Sequence, residues 1–297
     1  MIKMALPDIG APVRGTCIMV ARILDGNSLA EDLLLSLQKK AAEFTSQNGR
    51  AAHVSIIVIG SDTGAALFGA QVIRKCQKIG VATSSTHFDA DVTESAIRDY
   101  IETISGNSYT DGVIVLLPLP ENIHQSAIMA TLNPAKDVDG LGPKNAGNLV
   151  LGFPSFTPGT AEAVTTLLDN AGIPIQGQHA VILGRSNVGG KPVAMELLRR
   201  NATITICHTH TKNLPEITRT ADIIVASIGQ PEFLTGDMIR PGAVVLDAGA
   251  NVTAAGLKGD AHAPSIREKA GWFAPTPGGL GPLTHLMVIR NTLFGAG

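Results

Sequence analysis

The segment best suited to chemistry runs from Ala180 to Pro192. There the apolar strand pattern Ala-Val-Ile-Leu leads into Gly184-Arg-Ser-Asn-Val-Gly-Gly-Lys-Pro192, and a helical pattern follows. A glycine-lined turn that opens a helix points backbone N–H groups outward at the helix's positive end, which suits a phosphate. The spacing is not that of G-x-G-x-x-G, and a strand–glycine–helix turn also occurs as plain close packing. Two neighbours move the reading toward a nucleotide. Arg185 follows the strand directly, and the next strand pattern ends in Cys207-His208-Thr209, where an NAD-selective fold places an acid. A guanidinium present and a carboxylate absent favour NADP, because Arg pairs with a 2′-phosphate that Asp or Glu would repel. Gly184, Arg185, Ser186, Gly190 and Thr209 are therefore the expected cofactor-binding residues, with the two hydroxyls as further donors.

The elements that must hold this turn read as alternating strands and helices. Val54–Ile59 is followed by a helical pattern near Ala65–Ile79, and Gly112–Leu117 by one near Ile123–Thr131; such βα repetition implies a parallel sheet. A second series starts after the Gly- and Pro-rich stretch Gly152–Gly159. It comprises helix Thr160–Ala171, strand Ala180–Gly184, helix Lys191–Arg200, and strands Ala202–Cys207, Asp222–Ala226 and Ala243–Asp247. That order reads as a Rossmann-like domain. The fold expected is α/β with two domains. Residues 1–150, completed by a returning C-terminal helix within 283–297, form a parallel-sheet domain, and residues 151–282 form the nucleotide-binding one. Leu286, Ile289 and Leu293 recur at helical spacing in that last segment.

Composition narrows the function classes. At 297 residues, with 44% hydrophobic and 16% charged residues, the chain can build two cores. A net charge of −2 and basic runs no longer than pairs such as Lys39-Lys40 exclude a nucleic-acid footprint. Cys17, Cys76 and Cys207 suit neither a disulfide framework nor zinc-ligand spacing, so no metal and a reduced, cytoplasmic setting are expected. Pro7, Asp8, Pro12 and Arg14 interrupt any apolar run near the start, so neither a signal peptide nor a membrane span is expected there.

Eight short motifs then fall in one order: Leu24-Asp-Gly26, Leu117-Pro-Leu-Pro120, Lys136-Asp-Val-Asp-Gly140, Thr157-Pro158, Gly184-Arg-Ser186, Cys207-His-Thr-His-Thr211, Asp247-Ala-Gly-Ala-Asn251, and Ala274-Pro-Thr-Pro-Gly-Gly-Leu-Gly-Pro-Leu-Thr284. Over nearly its whole length the chain resembles the bifunctional methylenetetrahydrofolate dehydrogenase/methenyltetrahydrofolate cyclohydrolase family. The resemblance implies two α/β domains flanking a cleft, NADP on the second, and a folate pterin held between Asp139 and the loop Pro277-Gly278-Gly279, with Leu117 and Pro118 beside it. It also implies a homodimer. A carboxylate can accept a pterin's adjacent ring N–H and amino donors as a pair, and the glycines let backbone approach a flat ring. Without the motif, Asp139 would be an ordinary turn or capping residue.

The chain departs from the family at one wall. The family's helix carries Tyr-x-x-x-Lys, with the lysine four residues ahead of a cysteine; counting back from Cys76, Val72 stands at the lysine, Phe68 at the tyrosine and Ala65 at a preceding serine. Leu116 replaces the glutamine before Leu117-Pro-Leu. Oxidising a methylene bridge needs mainly positioning, whereas hydrolysing the methenyl product needs proton transfer. The expected activity is therefore NADP-dependent oxidation of 5,10-methylenetetrahydrofolate, with the cyclohydrolase step weak, absent or carried by another residue such as His124, His208, His210 or His285. A fully bifunctional enzyme, a non-catalytic folate- or nucleotide-binding homologue, and a dehydrogenase of another pterin carrier are the alternatives.

Overall fold

The computed structural model describes residues 20–295; Cys17 and the rest of the N-terminal segment discussed above lie outside them. The first half runs β1 (Arg22–Ile23), α1 (Gly26–Asn48), β2 (His53–Ile59), α2 (Thr63–Ile79), β3 (Ala82–Phe88), α3 (Glu94–Gly106), β4 (Gly112–Val115), α4 (Gln125–Thr131) and α5 (Pro143–Leu151). The second half runs α6 (Gly159–Asn170), β5 (His179–Leu183), α7 (Gly190–Arg199), β6 (Thr203–Cys207), α8 (Leu214–Thr218), β7 (Ile223–Ala226), β8 (Val244–Asp247), a hairpin of β9 (Asn251–Thr253) and β10 (Gly256–Lys258), α9 (Ala263–Arg267), β11 (Trp272–Ala274) and α10 (Gly281–Phe294).

Two parallel sheets result. One has the order β3-β2-β4, and the other β1-β11-β8-β7-β5-β6. Strands buried on both faces carry apolar runs: β7 is apolar throughout, β8 up to its last residue Asp247, and β2 apart from His53 and the buried Ser55. Helix α2 is punctuated at both ends. The Asp62 carboxylate accepts the Ala65 N–H at 2.8 Å, and Gly80, at φ 92°, closes the last turn on the Cys76 carbonyl. Among the described residues no helix is long and apolar enough to cross a membrane.

Strand β1 departs from the expected division at residue 150. Arg22 and Ile23 pair with Trp272 and Phe273, so the start of the chain closes the edge of the second sheet. The Leu24-Asp-Gly26 motif accounts for this. The Gly26 N–H donates to the Gly278 carbonyl at 2.9 Å, and a side chain at Gly26 would collide with the Gly279 carbonyl. Asp25 caps α1 through the Asn27 N–H at 2.9 Å. Gly26→Ala must push two backbones apart, and overpacking of this kind costs about 1–3 kcal/mol. A urea midpoint indistinguishable from the parent's would contradict this account.

Helix α10 packs against α1, α2 and α6 and so joins the two halves. Leu283, Leu286, Met287 and Ile289 are buried in that junction. The Asn291 amide donates to the carbonyls of Val138 at 2.9 Å and Thr157 at 3.3 Å, which fixes α10 to the loop that carries Asp139.

Candidate functional site

The turn after β5 is built by close backbone approach. Gly184, at φ 111°, lies against the Ser227 carbonyl at the end of β7, and Gly190 lies against the Gly184 carbonyl. A Cβ at Gly189 would stand 2.5 Å from the Ser227 hydroxyl. The Ser186 hydroxyl accepts the Gly189 N–H at 3.0 Å, so it helps set the start of α7 and keeps its own O–H to donate. Lys191 is held by the Asn187 side chain at 2.7 Å.

Register places Arg185 and Thr209 side by side. Leu183 pairs with Cys207, the Gly184 N–H donates to the Cys207 carbonyl at 2.9 Å, and Arg185 and Thr209 each follow two residues past the paired ends. Both are exposed. Arg185 makes no hydrogen bond or ion pair among the described residues, so its charge is uncommitted. Beside it, the Thr211 hydroxyl accepts the His208 N–H at 2.9 Å and His208 Nδ1 accepts the His210 N–H at 3.1 Å.

The Asp247-Ala-Gly-Ala-Asn251 motif turns out to be scaffolding. Buried Asp247 accepts N–H bonds from Gly249, Asp260 and Ala261, and burial pushes its carboxyl up to about 6. Asp260, which sequence reading passed over, is fully buried. It accepts from the N–H groups of Ile228, Gly229 and Gln230 and from the Asn251 amide. Together they fix the loop that follows β7 and Ser227, against which the Gly184 turn is packed.

On the other side, the two aspartates of Lys136-Asp-Val-Asp-Gly140 divide their work. Asp137 is buried and accepts from Leu141 and Gly142 N–H and from the Asn145 amide, which folds the loop back onto α5. Asp139 is partly exposed. Its carboxyl is pushed up to about 7, chiefly by desolvation and then by the nearby Asp137 charge, against the opposing pull of the Gly159 N–H. Gly159 in turn lies under the Thr284 carbonyl at the start of α10, so contacts run from Asp139 to the segment that follows the Pro277-Gly278-Gly279 loop. In that loop Pro277 is exposed, Gly278 has φ 104°, and Gly279 is buried against the Ala274 and Pro275 backbone. The Thr276 hydroxyl ties it to the Asp247 carbonyl at 2.9 Å. Leu117 is half-buried and Pro118 exposed, just past the end of β4.

At the positions read from the sequence against the family's polar groups, the wall is apolar and packed. Val72 is 0% exposed, Leu116 4% and Ala65 5%, in one cluster with Leu283 and Leu286 of α10. A methyl of Leu116 occupies the space over Gly69, 2.7 Å from where a Cβ would be. Phe68 is half-buried, and its ring lies 4.7 Å from that of His285. The four histidines therefore separate. His124 is an exposed partner of Glu94 and His208 and His210 sit beyond β6, while His285 alone faces the helix that carries Phe68 and Val72. Lys75, one turn beyond Val72, donates to the Pro282 carbonyl at 3.0 Å.

A cavity of about 660 Å³ opens between α4, α5 and the start of α7, lined by Gly140, Leu141, Pro158, Asn187 and Lys191 among others. It borders both the Asp139 loop and the turn after β5, although neither Asp139, Arg185 nor Pro277 lines it.

Two family profiles match the chain. "Tetrahydrofolate dehydrogenase/cyclohydrolase, catalytic domain" covers residues 24–139, and the NAD(P)-binding domain of the same name covers residues 158–296. The chain is 39% identical to the bifunctional protein FolD of Variovorax paradoxus over 279 residues, 94% of this chain and 98% of that one. Among solved structures it is similar to the bifunctional enzyme FolD of Campylobacter jejuni, with TM-score 0.88, 32% identity, and 92% and 97% of the two chains covered. It is equally similar, at TM-score 0.88 and 31% identity with 92% and 96% covered, to the Trypanosoma brucei methylenetetrahydrofolate dehydrogenase-cyclohydrolase complexed with NADP cofactor and inhibitor.

Proposed function

The chain belongs to the tetrahydrofolate dehydrogenase/cyclohydrolase family, and from that premise we propose that it oxidises 5,10-methylenetetrahydrofolate to 5,10-methenyltetrahydrofolate with NADP⁺ and hydrolyses the product more slowly than it forms it. The observation that carries the reading is an asymmetry between the cleft's groups. Asp139 and the Gly184-Arg185-Ser186 turn are retained, while the wall at Phe68, Val72 and Leu116 is closed by apolar packing.

The residues present fit a dinucleotide phosphate. The glycines 184, 189 and 190 leave a turn without side chains, α7 opens there, and Arg185 offers a charge with no partner of its own. Bound there, NADP⁺ supplies the hydride acceptor. Asp139 orients the pterin through its paired donors, and Pro277, Gly278 and Gly279 bound the ring's face. With the substrate so held, the folate nitrogen's lone pair expels the hydride and no side-chain base is required, so positioning provides most of the rate. Hydrolysis is different, because water must lose a proton and a ring nitrogen must gain one. Val72 can do neither.

Following the methenyl chromophore with purified enzyme, methylenetetrahydrofolate and each nicotinamide cofactor tests the reading. Methenyl product should build up with NADP⁺ and outlast its formation. Reduced cofactor without methenyl build-up would instead show full bifunctionality, and silence with both cofactors a binding homologue. Arg185→Ala should remove a charged contact worth about 1.5–3 kcal/mol, raising the NADP⁺ Michaelis constant roughly 10- to 150-fold while leaving that for NAD⁺ nearly unchanged. Equal loss with both cofactors would refute the assignment. Family membership also carries the expectation of a cytoplasmic homodimer, which light scattering can test for the oligomer.

A further inference from the structure

A buried polar atom without a partner is uncommon in a folded protein and calls for an explanation. His285 has one. Its Nδ1 is sealed from solvent and has no hydrogen-bond partner. The ring is held against Phe68, at a centroid separation of 4.7 Å, on the wall where the family's lysine and tyrosine are missing. The groups facing it are the ammonium of Lys75, pinned by the Pro282 carbonyl, and the guanidinium of Arg74; the Gly281 carbonyl, one turn back on its own helix, is near enough to favour the protonated ring but does not meet Nδ1 in hydrogen-bond geometry. Nothing in the packing uses the imidazole's basicity, since a leucine would fill the place without burying an unpaired nitrogen.

We infer that His285 is the proton-transfer residue for the hydrolysis this chain performs, taking over from α10 what the family's lysine does from α2. The inference rests on the folate reading above. In the step, water's oxygen bonds to the methenyl carbon and one of its protons passes to Nε2 of the imidazole, since Nδ1 is the nitrogen sealed in the wall. The bond from that carbon to a ring nitrogen then breaks, its electron pair stays on nitrogen, and the imidazolium returns the proton there. The remaining O–H proton leaves to solvent as the formyl C=O forms, so cation plus water gives formyl product plus one proton. Burial, then the Lys75 and Arg74 charges, push His285 down to about 4, which keeps the imidazole neutral and able to accept at physiological pH. Such a weak base accelerates hydrolysis less than a group matched to neutrality would, in keeping with the slow hydrolysis proposed above.

The test supplies methenyltetrahydrofolate directly, so it reads separately from the oxidation. The parent should hydrolyse it faster than buffer alone, and His285→Ala and His285→Gln should each lower the ratio of hydrolysis to hydride transfer at least tenfold. Added imidazole should restore hydrolysis to His285→Ala and leave His285→Gln unchanged. NADP⁺ titration, on the opposite wall, verifies that each variant is folded. Hydrolysis by the parent at the buffer rate, or by folded His285→Gln at the parent's rate, would overturn the inference even if NADP⁺-dependent oxidation is intact; failure of that oxidation would instead count against the folate reading.

Discussion

Asp139→Ala should reduce folate turnover by about 10²–10⁴-fold in kcat/KM while NADP⁺ binding stays near the parent's. Two charge-assisted hydrogen bonds are lost, each worth about 1.5–3 kcal/mol, and every 1.4 kcal/mol is tenfold. The nucleotide turn, built on Ser227 and the Asp247–Asp260 scaffold, does not depend on this carboxylate. Asp139→Asn is the sharper variant, because an amide keeps the shape but presents one acceptor oxygen to the paired donors.

The same residue sets a pH dependence. On the proposed reading the pterin's donors require the ionised carboxylate, and in the free protein this carboxyl is pushed up to about 7. Folate kcat/KM should therefore rise about tenfold per pH unit below 7 and level off above it, and Asp139→Asn should abolish that slope. The stability effect has the opposite sign. A raised carboxyl favours the protonated folded state, so its contribution is complete below the unfolded value of 3.8 and is lost as pH rises through about 7. Above pH 7, Asp139→Asn should thus melt higher than the parent while binding folate worse. A parent with pH-independent folate kcat/KM between 5.5 and 8 would show that the carboxylate is not the pterin anchor.

How much of this was legible in the sequence depended on whether local pattern or distant packing decided each feature. The buried strands β2, β5, β7 and β8 are apolar runs between glycines and helical patterns, so periodicity found them to within a residue or two. Strand β3 was passed over because Ala-Thr-Ser-Ser-Thr-His-Phe is polar. It lies at a sheet edge with none of its residues fully buried, and its pairing with β2 alone makes it a strand. The two-residue β1 has no pattern of its own, and its place in the second sheet comes from contacts with residues some 250 positions away. At the site, the glycines and Arg185 could be read locally, whereas the absence of a partner for that guanidinium could not. The roles of Asp260 and Asn251 could not, since each is defined by N–H groups or carboxylates brought from other loops. His285 gave no signal beyond being a histidine until its ring met Phe68.

That meeting bears on the second large effect, a gain of hydrolysis. Val72→Lys combined with Phe68→Tyr and Leu116→Gln should raise methenyl hydrolysis by about 10²–10⁴-fold over the parent, the usual contribution of a positioned proton-transfer group. The single change should not. Val72 is fully buried among aliphatic side chains, so a lone lysine there meets a desolvation cost that drives it neutral and leaves no partner for its N–H groups. Leu116→Gln frees the space over Gly69 and supplies an amide, and Phe68→Tyr adds a hydroxyl next to His285. The lysine can then be held by hydrogen bonds and keep its charge. Because the added groups enlarge a closed wall, some loss of stability should accompany the gain, about 1–3 kcal/mol for an overpacked site, read from the urea midpoint. NADP⁺-dependent oxidation should persist in the triple variant, since Asp139 and Arg185 are untouched. If Val72→Lys alone gives rapid hydrolysis, the packed wall does not limit the step; if the folded triple variant hydrolyses no faster than the parent, the lysine, tyrosine and glutamine positions do not account for the slow hydrolysis proposed.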